Sequence, residues 1–250
     1  MSPTLPPFNA VVLAGERPGG SAFSQELGLP ASVLVDVAGR SALARVISTL
    51  TASQRITGGI LCGPAEDIYR SQPEFEEILG GSAFHWFAPS TGPSASALAA
   101  IREINHFPIL LTAGDHALLT PALVDDFCRR AQSLDADVVV GLVPYSLVQQ
   151  AFPESKRTVL KFSNGQYCGS NLFAVLNQRG EAAPAFWSRL EADRKRPWRM
   201  ARRIGPAMLF RYLLGQLTLE KGLQSLSAAM GCRVASLLIE DPRAAVRPFD

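Results

Sequence analysis

Three glycines and an arginine follow the first apolar run of the chain. Ala10–Ala14 is a short continuous hydrophobic segment, typical of a buried strand in a parallel sheet, and Gly15, Arg17, Gly19 and Gly20 come directly after it. Glycines let the backbone turn tightly and bring its N–H groups close to a ligand, and a guanidinium binds phosphate oxygens. The pattern predicts a phosphate-binding turn. An ordinary strand-to-loop turn is the alternative, and neither the P-loop ending nor the dinucleotide fingerprint is present.

A carboxylate follows another buried strand. Ile109–Thr112 is strongly apolar, and Asp115 comes just after its carboxyl end. In open α/β sheets this edge binds ligands, and a carboxylate there is placed to hold a metal ion. Asp115 could instead be a turn former beside Gly114.

Two serines stand at the start of a predicted helix. The stretch from Ser90 to Ile101 begins with small hydroxyl residues, among them Ser94 and Ser96, and continues with alanines. Free N–H groups and the positive end of the helix dipole could hold a base, a ribose or a phosphate there. The alternative is that both serines only cap the helix.

The elements that must position these residues alternate between strands and helices. This alternation predicts an α/β fold, with a mostly parallel sheet and helices on both faces. Ser41 and Thr120 are predicted N-caps of helices Ala42–Ala52 and Ala122–Ser133, and 33–37 is predicted to be extended. Further strands are predicted at 58–63, 85–89, 137–144 and 232–239, and helical segments up to Glu77 and over 184–230.

A hairpin is predicted late in the chain. Thr158–Phe162 and Tyr167–Val175 flank the Asn-Gly pair at 164–165, which is a strong signal for a tight turn. We expect these antiparallel strands to form a small lid beside the sheet.

Composition restricts the protein class. The 250 residues are 47% apolar and 18% charged, and no linker divides them, so one globular domain is expected over 1–250. A net charge of +2 argues against a general nucleic-acid binder. The four cysteines lack the spacing of a zinc site or a disulfide framework. The sequence contains no signal peptide or membrane-spanning stretch, which favours a soluble cytoplasmic protein.

Six cations are concentrated in ten residues. They are Arg194, Lys195, Arg196, Arg199, Arg202 and Arg203. Like charges at helical spacing repel, so an anionic ligand is expected to compensate them. Trp198 and Met200 add apolar surface, which suits a phosphorylated acceptor with a hydrophobic body or an anionic membrane that carries it. A solvated helix face is the alternative.

Four motifs in this order resemble the MobA-like nucleotidyltransferase family. They are Val12-Leu-Ala-Gly-x-Arg-x-Gly, Val35-Asp-Val-Ala-Gly-Arg-Ser-Ala-Leu, Leu111-Thr-Ala-Gly-Asp-His-Ala-Leu-Leu-Thr and Gly169-Ser-Asn-Leu-Phe. The resemblance implies a three-layer, Rossmann-like fold of the GT-A type. It implies transfer of an NMP from an NTP to a small phosphorylated acceptor, such as a lipid precursor, with release of pyrophosphate.

The resemblance also implies roles for individual residues. Asp115 would bind Mg2+ as the cofactor. The implied nucleotide-binding residues are Leu13, Ala14, Gly15, Gly19, Gly20, Ser94 and Ser96. The implied catalytic residues are Arg17, Asp115 and Lys161. The implied acceptor-binding residues are Asn171, Lys195 and Arg199.

Two positions depart from the family pattern. Ser32 stands where the family usually has a lysine, and the tail over 245–250 lacks the family's Asp-Val-Asp. Removing one preorganised charge contact typically lowers a rate on the order of 10²–10³-fold. A catalytically weakened nucleotide-binding or scaffold protein is therefore the alternative, unless Lys161, Lys195 or Asp250 substitutes. A glycosyltransferase ranks last, because Asp135-Ala-Asp137 precedes a strand instead of following one.

Overall fold

The computed structural model describes residues 5–16, 22–193 and 205–247. The strands are β1 Phe8–Leu13, β2 Ile56–Cys62, β3 Phe84–Phe87, β4 Ile109–Ala113, β5 Val138–Pro144, β6 Leu160–Phe162, β7 Gly165–Val175 and β8 Val234–Leu238. The helices are α1 Ala22–Glu26, α2 Ala42–Ala52, α3 Glu66–Ser71, α4 Pro73–Leu79, α5 Pro93–Ile104, α6 Pro121–Gln132, α7 Tyr145–Ala151, α8 Ala182–Ala192, α9 Pro206–Leu213 and α10 Leu219–Met230. Short 3₁₀ helices cover Ser32–Leu34, Gln178–Glu181 and Pro242–Ala245.

The sheet follows the order β3-β2-β1-β4-β7-β5-β8. Neighbouring strands are parallel except at β7, which runs antiparallel to both β4 and β5. Leu13 at the end of β1 is in register with Cys62 on β2 and with Ala113 on β4. The carboxyl ends of these three strands therefore meet at one edge, as the predicted α/β fold requires.

Helices cover both faces of the sheet, because successive side chains of a strand point to opposite faces. On β1, Ala10 and Val12 pack in one apolar cluster with α2 and α6 residues, whereas Val11 packs in a second cluster with α5 residues. The predicted caps are also present. Ser41 Oγ accepts from the Ala44 amide at 3.4 Å, and Thr120 Oγ1 accepts from the Leu123 amide at 3.3 Å.

The predicted hairpin forms, but its longer strand is not a lid beside the sheet. β6 pairs with the first residues of β7, and β7 then continues into the interior of the sheet between β4 and β5. Cys168, Ser170, Leu172 and Ala174 on alternate positions are fully buried. A strand with one buried row of side chains can extend from a hairpin into a larger sheet.

The prediction of an extended segment over 33–37 is wrong in its first half. Ser32–Leu34 forms a 3₁₀ turn, in which the Leu34 amide donates to the Ala31 carbonyl at 3.1 Å. A tight turn follows, with positive φ at Ala38 and Gly39. The β-branched residues predicted a strand, but Val33 and Leu34 are instead buried against α2 and the neighbouring loops.

Across the described parts of the chain, every helix is too short or too polar to span a lipid bilayer.

Candidate functional site

The backbone at the end of β1 is enclosed by its two neighbouring strands. The Ala14 amide donates to the Cys62 carbonyl and the Gly114 amide donates to the Leu13 carbonyl, both at 2.9 Å. Gly63 has φ +92°, and a Cβ there would lie 2.8 Å from the Gly15 nitrogen. Only glycine fits such an approach, so the sequence at 63 helps to fix the start of the predicted phosphate-binding turn. Leu13, Ala14 and Gly15 stand at the edge where they were expected.

Glu16 connects this turn to the 3₁₀ segment. Its Oε2 accepts a hydrogen bond from the Ser32 amide at 2.7 Å. The predicted site residues Arg17, Gly19 and Gly20 lie outside the described residues, so their phosphate contacts remain predictions. Ser32, which stands in place of the family's lysine, is thus fixed beside the turn through its backbone.

The loop before α5 lies beside the same turn. A Cβ on Gly15 would lie 4.0 Å from Pro89 Cβ. Ser96 is buried, and its Oγ accepts from the Ser90 amide at 2.8 Å, which holds the loop in place. Ser94 Oγ hydrogen-bonds to Glu191 Oε1 of α8 at 2.6 Å. Neither hydroxyl caps α5, whose N-cap residue is Gly92. The nucleotide contacts assigned to both serines remain predictions.

Asp115 lies two residues beyond the end of β4 and faces an arginine from the end of the described chain. Arg247 Nη1 is 3.3 Å from Asp115 Oδ2. Arg247 Nη2 also donates to Asn171 Oδ1 of β7 at 3.2 Å. The structure therefore brings two predicted site residues, Asp115 and Asn171, together through a guanidinium that the sequence analysis did not single out.

A β-bulge places Asn171. Val140 pairs with Phe173 and Leu142 with Gly169, so three residues of β7 oppose Gly141 alone. Asn171 has φ +55°, a left-handed conformation that asparagine tolerates better than most residues. A Cβ on Gly141 would lie 2.2 Å from Ser170 Oγ. Glycine at 141 therefore makes room for the bulge, which turns Asn171 toward Arg247.

His116 packs beneath the cluster and is uncharged. It is fully buried, and this burial lowers the pKa of its imidazole to about 4, although the nearby backbone of Arg243 and Ala244 acts in the opposite direction. The nearby charge of Arg247 lowers the pKa further. His116 thus contributes packing against the 3₁₀ helix Pro242–Ala245, and the positive charge at this edge comes from arginine.

A second arginine lies along β7. Arg157 Nη2 donates to the Gly169 carbonyl at 3.3 Å, two residues before Asn171. Sequence reasoning missed both Arg157 and Arg247. Arg247 lies in the tail that lacks the family's Asp-Val-Asp, so comparing that tail with the family pattern could have identified it. Arg157 lies in no comparable motif.

The described residues do not fit a magnesium site built from protein ligands. Within residues 5–16, 22–193 and 205–247, no group of three or more His, Cys, Asp or Glu side chains is arranged to hold a metal ion. Asp115, the expected ligand, is instead paired with the guanidinium of Arg247. The Mg2+ cofactor implied by the resemblance therefore remains a prediction.

The remaining predicted residues lie elsewhere. Lys161 is exposed on β6, and its backbone amide donates to Tyr212 Oη at 3.3 Å. Its side chain makes no described contact with the Asp115 cluster, so its catalytic role remains a prediction. Lys195 and Arg199 fall in the part of the chain that the structure does not describe. Asp135 and Asp137 lie at the amino end of β5, opposite the candidate site, where Arg233 contacts both. This position agrees with the low rank of the glycosyltransferase hypothesis.

Comparison with solved structures shows the same fold. The chain is similar to a hypothetical transferase from Thermus thermophilus, with 24% identity, a TM-score of 0.80, and coverage of 97% of this chain and 96% of that one. A CMP:2-keto-3-deoxy-manno-octonic acid synthetase complexed with CTP has 10% identity, a TM-score of 0.57 and coverage of 94% and 90%. A 4-diphosphocytidyl-2C-methyl-D-erythritol synthase from Anaerococcus prevotii has 11% identity, a TM-score of 0.57 and coverage of 98% and 93%.

No curated protein shows a significant sequence match to the chain. The family model described as the MobA-like NTP transferase domain, in contrast, matches residues 10–230. This match covers most of the chain, including β1 from Ala10 onward, the glycine turn after it, Asp115 and the β7 bulge. The chain therefore belongs to the MobA-like NTP transferase family.

Proposed function

We propose that this protein transfers an NMP from an NTP to a small phosphorylated acceptor and releases pyrophosphate. The observation that carries the proposal is the meeting of the β1 turn with the Asp115, Asn171 and Arg247 cluster at one sheet edge. Family membership and the nucleotidyltransferase fold of the similar structures support it.

The reaction balances without a further reactant. An ionised phosphate oxygen of the acceptor attacks the α-phosphorus, and a new O–P bond forms. The bond from the α-phosphorus to the bridging oxygen of the β-phosphate breaks, and its electron pair leaves with pyrophosphate. This chemistry depends mainly on positioning and charge neutralisation. Backbone N–H groups after Gly15 and the Arg247 guanidinium would supply both to the triphosphate.

Asn171 is proposed to meet the acceptor. It belongs to the β7 bulge, on the side of Asp115 away from β1 in the sheet order. The nitrogen of its side-chain amide, Nδ2, is buried and has no hydrogen-bond partner among the described residues. Because a buried amide N–H is costly without an acceptor, a phosphate or hydroxyl oxygen of the acceptor would satisfy it.

A catalytically weakened nucleotide-binding protein is the second candidate. Two observations favour it: Ser32 in place of the family's lysine, and an arginine paired with the expected metal ligand Asp115. Such a protein would bind an NTP at the same edge and would regulate a partner without turnover.

One experiment separates the two candidates. The full chain is incubated with ATP, GTP, CTP or UTP and a panel of sugar, inositol and lipid-precursor phosphates, with and without Mg2+, and pyrophosphate release is measured. We expect release with one NTP and one acceptor class, and a strong loss in Asn171→Ala with little change in NTP affinity. NTP binding without release across the panel would favour the weakened protein, and no NTP binding would contradict both.

A further inference from the structure

The carboxylate at the end of β4 already has a cationic partner from within the chain. The Asp115 side chain is 14% exposed, and its Oδ2 lies 3.3 Å from Arg247 Nη1. A mostly buried carboxylate is costly unless a cation or hydrogen-bond donors compensate its charge. A divalent metal ion on Asp115 would have to share this carboxylate with the guanidinium of Arg247, which contacts Oδ2.

Arg247 is fixed in direction by two different elements. Asp115 from the loop after β4 contacts Nη1, and Asn171 from the β7 bulge accepts from Nη2 at 3.2 Å. A guanidinium held at two nitrogens has its plane fixed, because its N–H groups project in a rigid fork. Its side chain is nevertheless 35% exposed, so part of its surface is accessible to solvent.

The backbone that carries Arg247 is also buried. Ala244 and Ala245 in the preceding 3₁₀ helix are fully buried, and Val246 is nearly so. Asp241 caps this turn by accepting from the Arg243 amide at 3.0 Å. Arg247 therefore follows a packed 3₁₀ helix, and its position beside Asp115 is set by the fold of this C-terminal segment.

We propose that the Arg247 guanidinium takes the place of a protein-bound divalent cation on Asp115 and is the fixed positive charge that meets the ligand's phosphates. The first half concerns the protein alone. The second half rests on the proposed function, because it takes the ligand to be an NTP. Arg157, bound to the Gly169 carbonyl, adds a second guanidinium along the same strand. Two arginines suit a polyanionic ligand better than a metal ion.

The first test measures metal binding without nucleotide. Mn2+ is titrated into the full chain, and free Mn2+ is followed by its electron paramagnetic resonance signal. We expect no saturable binding to the natural protein at submillimolar Mn2+. Arg247→Asp should bind Mn2+ at least tenfold more tightly, and the double variant with Asp115→Asn should lose this gain. Arg243→Ala, which changes a cation in the same segment, should behave as the natural protein does.

The inference is overturned if the natural protein binds Mn2+ saturably at submillimolar concentration and Asp115→Asn abolishes this binding. Thermal unfolding of each variant monitors folding. If Arg247→Asp fails to fold, Arg247→Lys and Arg247→Gln replace it. The lysine variant should still exclude Mn2+, whereas the glutamine variant should bind it. Equal Mn2+ binding by the two variants would contradict the proposal.

The second test measures nucleotide binding by calorimetry. With EDTA present, the natural protein should bind its preferred NTP within about threefold of its affinity with Mg2+. Arg247→Gln should weaken NTP binding about tenfold or more, as expected for a hydrogen bond from a charged donor, and should leave nucleoside binding unchanged. Loss of NTP affinity in EDTA, or equal losses for nucleoside and NTP, would overturn the second half. If no NTP binds under either condition, the proposed function fails, while the Mn2+ titration still decides whether Arg247 replaces the metal.

Discussion

At the level of single residues, the candidate site combines the carboxylate of Asp115 with two arginines. Arg247 is paired with Asp115, Arg157 lies on β7, and His116 is neutral because its burial lowers its pKa to about 4. The start of the β1 turn lies at the same edge of the sheet, where Leu13 is in register with Ala113 at the end of β4. An anionic ligand is the partner that such a set of groups favours.

The first prediction concerns Arg17, two residues after Gly15 in the sequence. Arg17→Ala should weaken NTP binding about tenfold or more and nucleoside binding little, because its guanidinium is assigned to the phosphates. Calorimetric titration with an NTP and with the matching nucleoside checks this. Arg70→Ala, which removes an exposed arginine of α3 that pairs with Glu66, is the control and should change neither affinity. Equal losses for NTP and nucleoside would move Arg17 out of the phosphate site.

At the level of elements, the β7 bulge connects the sheet to the site. Three residues of β7 oppose Gly141, Ser170 is fully buried within the bulge, and Asn171 adopts a left-handed conformation. Such bulges direct a side chain away from the regular ladder and are frequent next to active sites. The site therefore depends on a glycine of β5 that would not itself touch the ligand.

The second prediction follows from this packing. Gly141→Ala would place a Cβ 2.2 Å from Ser170 Oγ, so the bulge must shift and Asn171 with it. We expect a loss of stability of about 1–3 kcal/mol and a higher KM for the acceptor. Adding Ser170→Ala, which removes the clashing Oγ, should recover part of both losses. Urea unfolding and pyrophosphate-release kinetics measure them.

Gly169→Ala is the matched control for that experiment. Gly169 belongs to the same strand, and a Cβ there would have no heavy atom within 4 Å. The control should unfold within about 0.5 kcal/mol of the natural protein, the range usual for substitutions without a specific contact. If Gly141→Ala is equally harmless, the bulge does not depend on the missing side chain.

The third prediction concerns the basic segment over 194–203, which lies outside the described residues. Helix α9, which follows this segment in the sequence, is described and exposes Phe210 to 64% and Leu213 to 73%, and Leu214 just after it is 53% exposed. Cations that lie close in sequence to exposed apolar side chains suit an anionic membrane surface or a hydrophobic phosphorylated acceptor. Reversing Arg199 and Arg202 to Glu should therefore raise the acceptor KM or release the protein from anionic liposomes, with little change in NTP affinity.

Liposome co-sedimentation and acceptor kinetics test the basic segment. A control with the same change in net charge reverses Arg70 and Arg129, exposed arginines of α3 and α6. The control should retain both acceptor use and liposome binding. If the Arg199 and Arg202 variant also retains both, the segment is a solvated face, as the alternative interpretation holds.

Sequence patterns predicted local features well, because each depends on neighbouring residues. The caps Ser41 and Thr120, the buried strand before Asp115 and the hairpin at the Asn-Gly pair are all local signals. The insertion of β7 between β4 and β5 was not predicted, because one buried row of side chains suits an edge hairpin and a central strand equally. Arg247 was missed for a similar reason. Its place beside Asp115 depends on packing of the C-terminal segment, which has no periodicity of its own.

At the level of the whole molecule, the carboxyl and amino ends of the strands have different roles. The candidate site occupies the carboxyl ends of β1 and β4, whereas Asp137 joins elements at the opposite edge. Its Oδ1 accepts from Asn177 Nδ2 at 3.0 Å, and its Oδ2 accepts from the Arg233 amide at 2.8 Å. Asp137 therefore connects β5 with the residues that follow β7 and those that precede β8.

The pH dependence of stability should reflect Asp137. Burial by itself raises the pKa of this carboxyl, but hydrogen bonds from the Arg233 amide, the Asn177 side chain and the Arg233 guanidinium outweigh it, so the pKa is lowered overall. A carboxyl with a lowered pKa in the folded state stabilises the fold above its unfolded pKa of about 4. This contribution disappears as the pH falls below about 4, through the folded value.

The last prediction separates stability from function through this residue. Asp137→Asn keeps the shape of the side chain but presents an N–H₂ group to at least one donor, Asn177 Nδ2 or the Arg233 amide. We expect a loss of about 1–3 kcal/mol at pH 7, the usual cost of an unsatisfied buried hydrogen-bonding group, and a smaller loss near pH 3. Urea unfolding at both pH values measures it.

Asp135→Asn removes an exposed partner of the same Arg233 and should cost about 0–1 kcal/mol. NTP affinity should be unchanged in both variants, because neither residue lies at the carboxyl edge. A weakened NTP affinity in folded Asp137→Asn would show that the two edges are coupled and would contradict this separation.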